Sequence, residues 1–168
     1  IWTTTPWTIP ANKALAYNSN IDYSLLEIDK TDFFSDTKIV VATNLINDFI
    51  SSCNIQKFKK LNTFKGEEFK NTICTHPFLK LGFKHDVPML NASFVNLEQG
   101  TGIVHCAPSH GPDDFNLCLK NNIPSKYTVD NSGCYTNEIP FFDNLHVFKA
   151  DKEVIQKLKD EKVLLSSD

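Results

Sequence analysis

The sequence predicts a β-rich α+β domain built on a curled sheet or barrel, and three observations carry that expectation. Short β-like runs recur at 14–17, 23–28, 38–42, 55–64, 69–75 and 102–107, and clusters of Asn, Asp, Gly and Pro separate them. Helical spacing is confined to a few segments. The 168 residues, 41% hydrophobic and 22% charged, suit a single domain over 1–168 with a core of its own.

The opening run is Trp2-Thr3-Thr4-Thr5-Pro6-Trp7-Thr8-Ile9-Pro10-Ala11-Asn12. Proline after Thr5 biases the run toward extended backbone, which puts Thr3 and Thr5 on one face and Thr4 on the other. Read alone, a threonine triplet is an edge strand. Its hydroxyls and stiff methyls also suit a pocket that must both hydrogen-bond a ligand and limit its size. Leu45, Ile46, Phe49 and Ile50 share a helical face, as do Val154, Ile155 and Leu158, where Asp151 is placed to cap the N-terminus. A further helix starts at Pro112, where proline needs no amide partner and Asp113 and Asp114 meet the positive end of the dipole; Pro124 bounds it. No internal repeat or low-complexity tract interrupts this order.

Composition removes whole classes of function. Seventeen Lys+Arg against twenty Asp+Glu leave a net charge of -3, the wrong sign for holding a long nucleic acid by phosphate neutralisation alone. Any nucleic-acid contact must be local or shared. No apolar stretch approaches the roughly 20 residues of a membrane span, and no signal-peptide pattern opens the chain. Cys53, Cys74, Cys106, Cys118 and Cys134 form no CxxC pair; they suit a reducing compartment, most as small buried apolar residues. A start at Ile1, with Met89 the single methionine, predicts a piece of a longer protein.

Chemistry concentrates in residues 100–114, Gly-Thr-Gly-Ile-Val-His-Cys-Ala-Pro-Ser-His-Gly-Pro-Asp-Asp, a strand leading tightly into a helix start. Flexible backbone, free amides and titratable side chains meet there. On an extended strand His105 and Cys106 point apart, so they do not make a Cys-His nucleophilic pair, and Cys106 reads as core. His105, His110, Asp113 and Asp114 lack the thiolate pair or HExxH spacing of a zinc site. Asp114, four residues before Cys118 and next to Phe115, turns inward, whereas Asp113 aligns with Asn116 and Leu117. A partly buried carboxylate beside a histidine suits recognition of an ammonium group.

Together, the Trp-Thr-Thr-Thr-Pro-Trp-Thr-Ile-Pro-Ala-Asn opening and the Gly-Thr-Gly-Ile-Val-His-Cys-Ala-Pro-Ser-His-Gly-Pro-Asp-Asp-Phe segment resemble the editing domain of isoleucyl-tRNA synthetases. Valyl and leucyl relatives carry arginine where Thr5 stands and an acidic residue where Trp7 stands. The resemblance continues through Val129-Asp130-Asn131-Ser132-Gly133 into the closing helix, and residues 18–96 match in general character. It implies a β-barrel-like core with peripheral helices, inserted in a class I synthetase, that hydrolyses the ester of mischarged Val-tRNA(Ile) with water as nucleophile. Neither the His-Ile-Gly-His nor the Lys-Met-Ser-Lys-Ser activation signature occurs, so the resemblance implies hydrolysis without amino-acid activation. It gives Asp114 the α-ammonium of the misattached residue, His105 the ester or terminal ribose, and Thr3, Thr4 and Thr5 the size filter and water site. Trp7 and Asn12 support the adenosine-binding strand. The implied partners are the 3′ aminoacyl-adenosine end of tRNA(Ile) and the rest of the parent synthetase in cis, with the domain itself a monomer. No metal, cofactor or membrane is implied, and the setting is the cytoplasm or, alternatively, an organelle. Two other classes stand beside this reading: a module that binds aminoacyl-adenosine without hydrolysis, and a thiol hydrolase built on Cys106.

Overall fold

The computed structural model describes residues 1–29, 37–98 and 100–167, which run through β1 (Ala14–Tyr17), β2 (Asp22–Ile28), β3 (Thr37–Ala42), α1 (Ile46–Ser52), β4 (Phe58–Lys65), β5 (Ile73–Thr75), β6 (Asp86–Asn91), β7 (Val104–Cys106), α2 (Pro112–Lys120) and α3 (Val147–Asp160). Among these residues the strands form two sheets, ordered β5-β6-β1-β7 and β3-β2-β4, rather than a closed barrel. The α+β class holds.

β1 is the hinge of the first sheet. It pairs antiparallel with β7, Leu15 opposite His105, and parallel with β6, Leu15 opposite Met89. Ala14 and Ala16 are fully buried, and their small side chains let Cys106 and Cys118 close over the strand in one cluster. The second sheet is antiparallel, with a bulge in the β2–β4 ladder between Leu25 and Leu26. Its edge strand β4 exposes Lys59, Lys60 and Lys65, charges that discourage edge-to-edge pairing. The sheets are tied where Ala42 N donates to Thr101 O at 2.8 Å and Tyr23 Oη donates to Gly102 O at 2.7 Å. Gly102 is required there: its φ is +71°, and a Cβ would stand 2.5 Å from the Ala42 Cβ.

α3 buries Val147, Ala150, Val154 and Leu158 along one stripe. That stripe shares a core cluster with Ile9 and Ala11 of an N-terminal 3-10 helix, Pro6–Ala11, and with Phe78, Phe83 and Phe142. Full burial of Val154 or Leu158 contributes about 1.5–3 kcal/mol each. The helix begins four residues before Asp151, and its cap is His146, whose Nδ1 accepts from Phe148 N at 3.2 Å. Asp151 is not the cap; its carboxylate accepts from Trp7 N at 2.9 Å. The opening also differs from the expected edge strand, because Pro6 and Pro10 fit a 3-10 turn and only residues from Ala14 onward pair. Cys106 and Cys118 are buried, while Cys53, Cys74 and Cys134 are partly exposed, so burial holds for two of the five.

Candidate functional site

The two segments singled out by sequence meet at His105. β7 presents the imidazole toward the N-terminal turn, where His105 Nε2 lies 2.9 Å from Thr8 Oγ1 and Nδ1 lies 3.3 Å from Asn12 Nδ2. The asparagine NH2 can only donate, so Nδ1 accepts and Nε2 carries the proton toward Thr8. Thr8 completes the relay by donating to Thr5 O at 2.9 Å. Asn12 Nδ2 also donates to Ala14 O at 2.9 Å, anchoring the relay to β1. Burial pushes the His105 pKa down to about 4, so the ring is neutral at pH 7.

Thr3 and Thr5 face together as expected, with hydroxyls 3.2 Å apart, and Thr5 N donates to Thr3 Oγ1 at 3.0 Å. This local bonding makes a turn, not a strand. Thr4 is exposed. Trp7 is tied down on three sides: its N–H reaches Asp151, its carbonyl accepts from Tyr135 Oη, and its ring meets His110 edge-on at 4.9 Å. His110 in turn has Thr128 Oγ1 2.9 Å from its Nε2. Trp7 and Asn12 thus support the turn and the link into β1, and neither lies within a strand.

Asp114 turns inward from the first turn of α2, and Asp113 is exposed. Asp114 Oδ2 accepts from Ala107 N at 2.9 Å, two residues beyond His105, so the carboxylate is fixed to the end of β7. Gly111 makes the room, since a Cβ there would sit 3.3 Å from the Asp114 carboxylate. Burial raises the Asp114 pKa from its ordinary value, the Ala107 amide opposes that shift and Asp113 adds to it. Cys106 is fully buried, and burial followed by the Asp114 charge pushes its thiol far above the usual range. A thiolate nucleophile is therefore not available there. Among the described residues no three His, Cys, Asp or Glu side chains gather as metal ligands.

Thr8 was not among the expected site residues, although it stands inside the opening motif. Its role follows from the 3-10 turn, which brings position 8 rather than positions 3 to 5 against His105. Two hollows lie apart from these groups. One of about 570 Å3 sits over Tyr17, Lys70, Thr72 and Met89, and one of about 210 Å3 lies beside Lys13, His85 and Lys126. Thr3, Thr4, Thr5, His105 and Asp114 line neither.

This arrangement, an N-terminal polar turn locked to the strand that feeds a carboxylate-bearing helix start, belongs to an editing domain of class I synthetases, as comparison with known proteins shows. A family model for the leucyl-tRNA synthetase editing domain matches residues 36–158, and the chain belongs to that family. It is 59% identical over 167 residues to the isoleucine–tRNA ligase of Pelagibacter ubique (strain HTCC1062), covering 99% of this chain and 18% of that protein. It is 42% identical to the isoleucine–tRNA ligase of Gluconobacter oxydans (strain 621H), covering 95% of this chain and 17% of that protein. The chain therefore spans under a fifth of these relatives. Its fold is similar to the crystal structure of GlLeuRS-CP1, with a TM-score of 0.71 at 13% identity over 99% of this chain and 82% of that one. It is also similar to the Plasmodium falciparum cytosolic leucyl-tRNA synthetase editing domain, with a TM-score of 0.54 at 20% identity over 97% of this chain and 64% of that one.

Proposed function

We propose that this domain performs post-transfer editing within an isoleucine–tRNA ligase, hydrolysing the aminoacyl ester of mischarged Val-tRNA(Ile) with a positioned water. The observation that carries the reading is the Thr8–His105–Asn12 relay, which joins the threonine-rich turn to β7, the strand at whose end the Ala107 amide holds Asp114 of α2. Asp114 pairs with the α-ammonium, an interaction strengthened by its partial burial. Neutral His105 sets the ester and terminal ribose, and the hydroxyls of Thr3, Thr4 and Thr5 limit side-chain size and hold the water. Trp7 and Asn12 keep that wall in place. One methylene supplies only about 1–3 kcal/mol of discrimination, isoleucyl enzymes being the standard illustration of that limit, so a second pocket that admits valine is needed. An ester is labile enough for orientation and oxyanion stabilisation to supply the rate without a covalent intermediate.

A second reading, binding of aminoacyl-adenosine without turnover, is favoured by one observation: both ring nitrogens of His105 are occupied, leaving it no role as a free base. The deciding measurement is deacylation of Val-tRNA(Ile) by the parent synthetase and its Asp114→Ala variant. Editing requires turnover by the unmodified enzyme and a loss of at least about thirtyfold in the variant, the equivalent of about 2 kcal/mol for a desolvated charge pair. Unchanged hydrolysis removes Asp114 from the site. A valyl-adenosine mimic that binds without being cleaved selects the second reading.

A further inference from the structure

The connection between β5 and β6 begins at His76 and ends at His85, and neither histidine has a part in the chemistry above. Thr75 and Asp86 pair across the two strands, so the next residues outward, His76 and His85, stand side by side with ring centroids 5.2 Å apart. Both rings reach the N-terminal 3-10 turn. His76 Nδ1 accepts from Phe78 N at 3.1 Å, which places the proton on Nε2, and Nε2 donates to Ile9 O at 3.2 Å. His85 Nε2 donates to Asn12 O at 2.8 Å. His76 is buried and stacked flat on Phe83, with centroids 4.6 Å and planes 8° apart, whereas His85 is half-buried. Burial holds both rings below the ordinary histidine range, so at pH 7 they act as neutral donors.

The two carbonyls they hold lie at the end of the turn, where a helical segment leaves carbonyls without internal partners. Ile9 and Asn12 are both buried, so these carbonyls need donors from the protein itself. Capping alone would make the histidines ordinary supports. Asn12, however, is gripped at both ends: its carbonyl by His85, and its side chain by His105, with Nδ2 3.3 Å from Nδ1. The same NH2 donates to Ala14 O at 2.9 Å, so the bond to His105 is the longer and fails first when Asn12 moves. A displacement of about 0.3 Å is enough to carry it beyond hydrogen-bond reach. Ile9 directly follows Thr8, whose Oγ1 lies 2.9 Å from His105 Nε2. His76 therefore fixes the neighbour of one partner of His105, and His85 fixes the other partner itself.

We propose that His76 and His85 are positioning residues for the hydrolysis: through the carbonyls of Ile9 and Asn12 they set Thr8 and Asn12, and so the orientation of His105 against the ester. The inference rests on the editing reading and extends its machinery to a connection 67 and 73 residues along the chain from the carbonyls it holds. Asp114 is fixed separately, by the Ala107 amide. Loss of either donor should thus fall on turnover and on discrimination between esters, and leave capture of the ammonium group in place.

The test uses His85→Asn and His85→Gln in the parent synthetase, with Val-tRNA(Ile) and Ile-tRNA(Ile) as substrates. Glutamine can bring an amide N–H to the place of Nε2, and asparagine is too short to reach Asn12 O. His85→Asn should lower kcat for Val-tRNA(Ile) about fivefold, keep KM within about twofold, and narrow the preference for the valyl over the isoleucyl ester about threefold. His85→Gln should return kcat and preference to within about twofold of the unmodified enzyme. His76→Asn, which keeps an acceptor for Phe78 N and loses the donor to Ile9 O, should show the same split; should that buried variant not fold, the His85 pair decides. Unchanged kcat and preference in His85→Asn overturn the positioning role and leave the editing reading intact. A loss that glutamine does not restore, or a KM that rises as kcat falls, marks general damage and also overturns the role. A parent enzyme that does not cleave Val-tRNA(Ile) overturns the editing reading, and this inference with it.

Discussion

Acidification from pH 7.5 to 4.5 should weaken the fold through His105, by an amount the relay itself sets. The free imidazole has an ordinary pKa of about 6.5, and in the fold it lies near 4. A second proton would have to enter at Nδ1, where the Asn12 NH2 already donates, and burial makes the charged ring costlier still. The sign follows from proton uptake. Below pH 6.5 the unfolded chain binds a proton that the folded chain refuses, so stability present above pH 6.5 is lost as pH falls toward 4. Integrated between pH 7.5 and 4.5, these two pKa values give a loss of about 2–3 kcal/mol. His76, whose pKa burial and His85 push down to about 3, adds a loss of the same sign. A His105→Gln variant isolates the first contribution, because the amide can still donate to Thr8 but does not titrate. Urea unfolding of both proteins across this pH range is the assay. The unmodified protein should lose about 2–3 kcal/mol more than the variant. Parallel pH profiles would refute the neutral, doubly bonded ring.

Three other substitutions probe the same architecture. Thr8→Val keeps the shape but leaves the His105 Nε2–H without its acceptor; it should cost about 1–3 kcal/mol in urea unfolding and blunt the discrimination between valyl and isoleucyl esters. Gly102→Ala forces a Cβ into Ala42 at a left-handed φ, so equilibrium unfolding should show a loss of about 2–4 kcal/mol. Cys106→Ala should leave deacylation within about twofold of the unmodified rate, and the native protein should resist alkylation at Cys106 until it is unfolded.

Local grammar was the legible part of this sequence. Pro112, Asp113 and Asp114 announced α2, and the spacing to buried Cys118 separated the half-buried Asp114 from the exposed Asp113, although Phe115 and Leu119 of the expected inward face are exposed and Leu117, on the side of Asp113, is the one that packs. β1 was found at its full extent because Ala14 to Tyr17 ends against turn residues on both sides. β6 was missed: Pro88 interrupts its pattern, and its pairing with β1 is parallel, so the partner lies more than 70 residues away with no hairpin to mark it. Asp151 has the chemistry of a cap, but tertiary structure used it for the Trp7 amide, 144 residues away in sequence. The threonine triplet has β propensity, yet the prolines at positions 6 and 10 and the Thr3–Thr5 bonds turned the segment into a 3-10 entry. That one difference moved the contact with His105 from the triplet to Thr8.

The bond from Asp151 to the Trp7 amide, with Leu164 packed in the same cluster as Ile9, has a mechanical meaning. The earliest and latest parts of the fold are stitched side by side, as in a module that can hang from a host protein by two adjacent threads. Strain on either thread reaches Trp7, which is bonded to Asp151 and packed edge-on against His110, so the two ends of the fold share one brace.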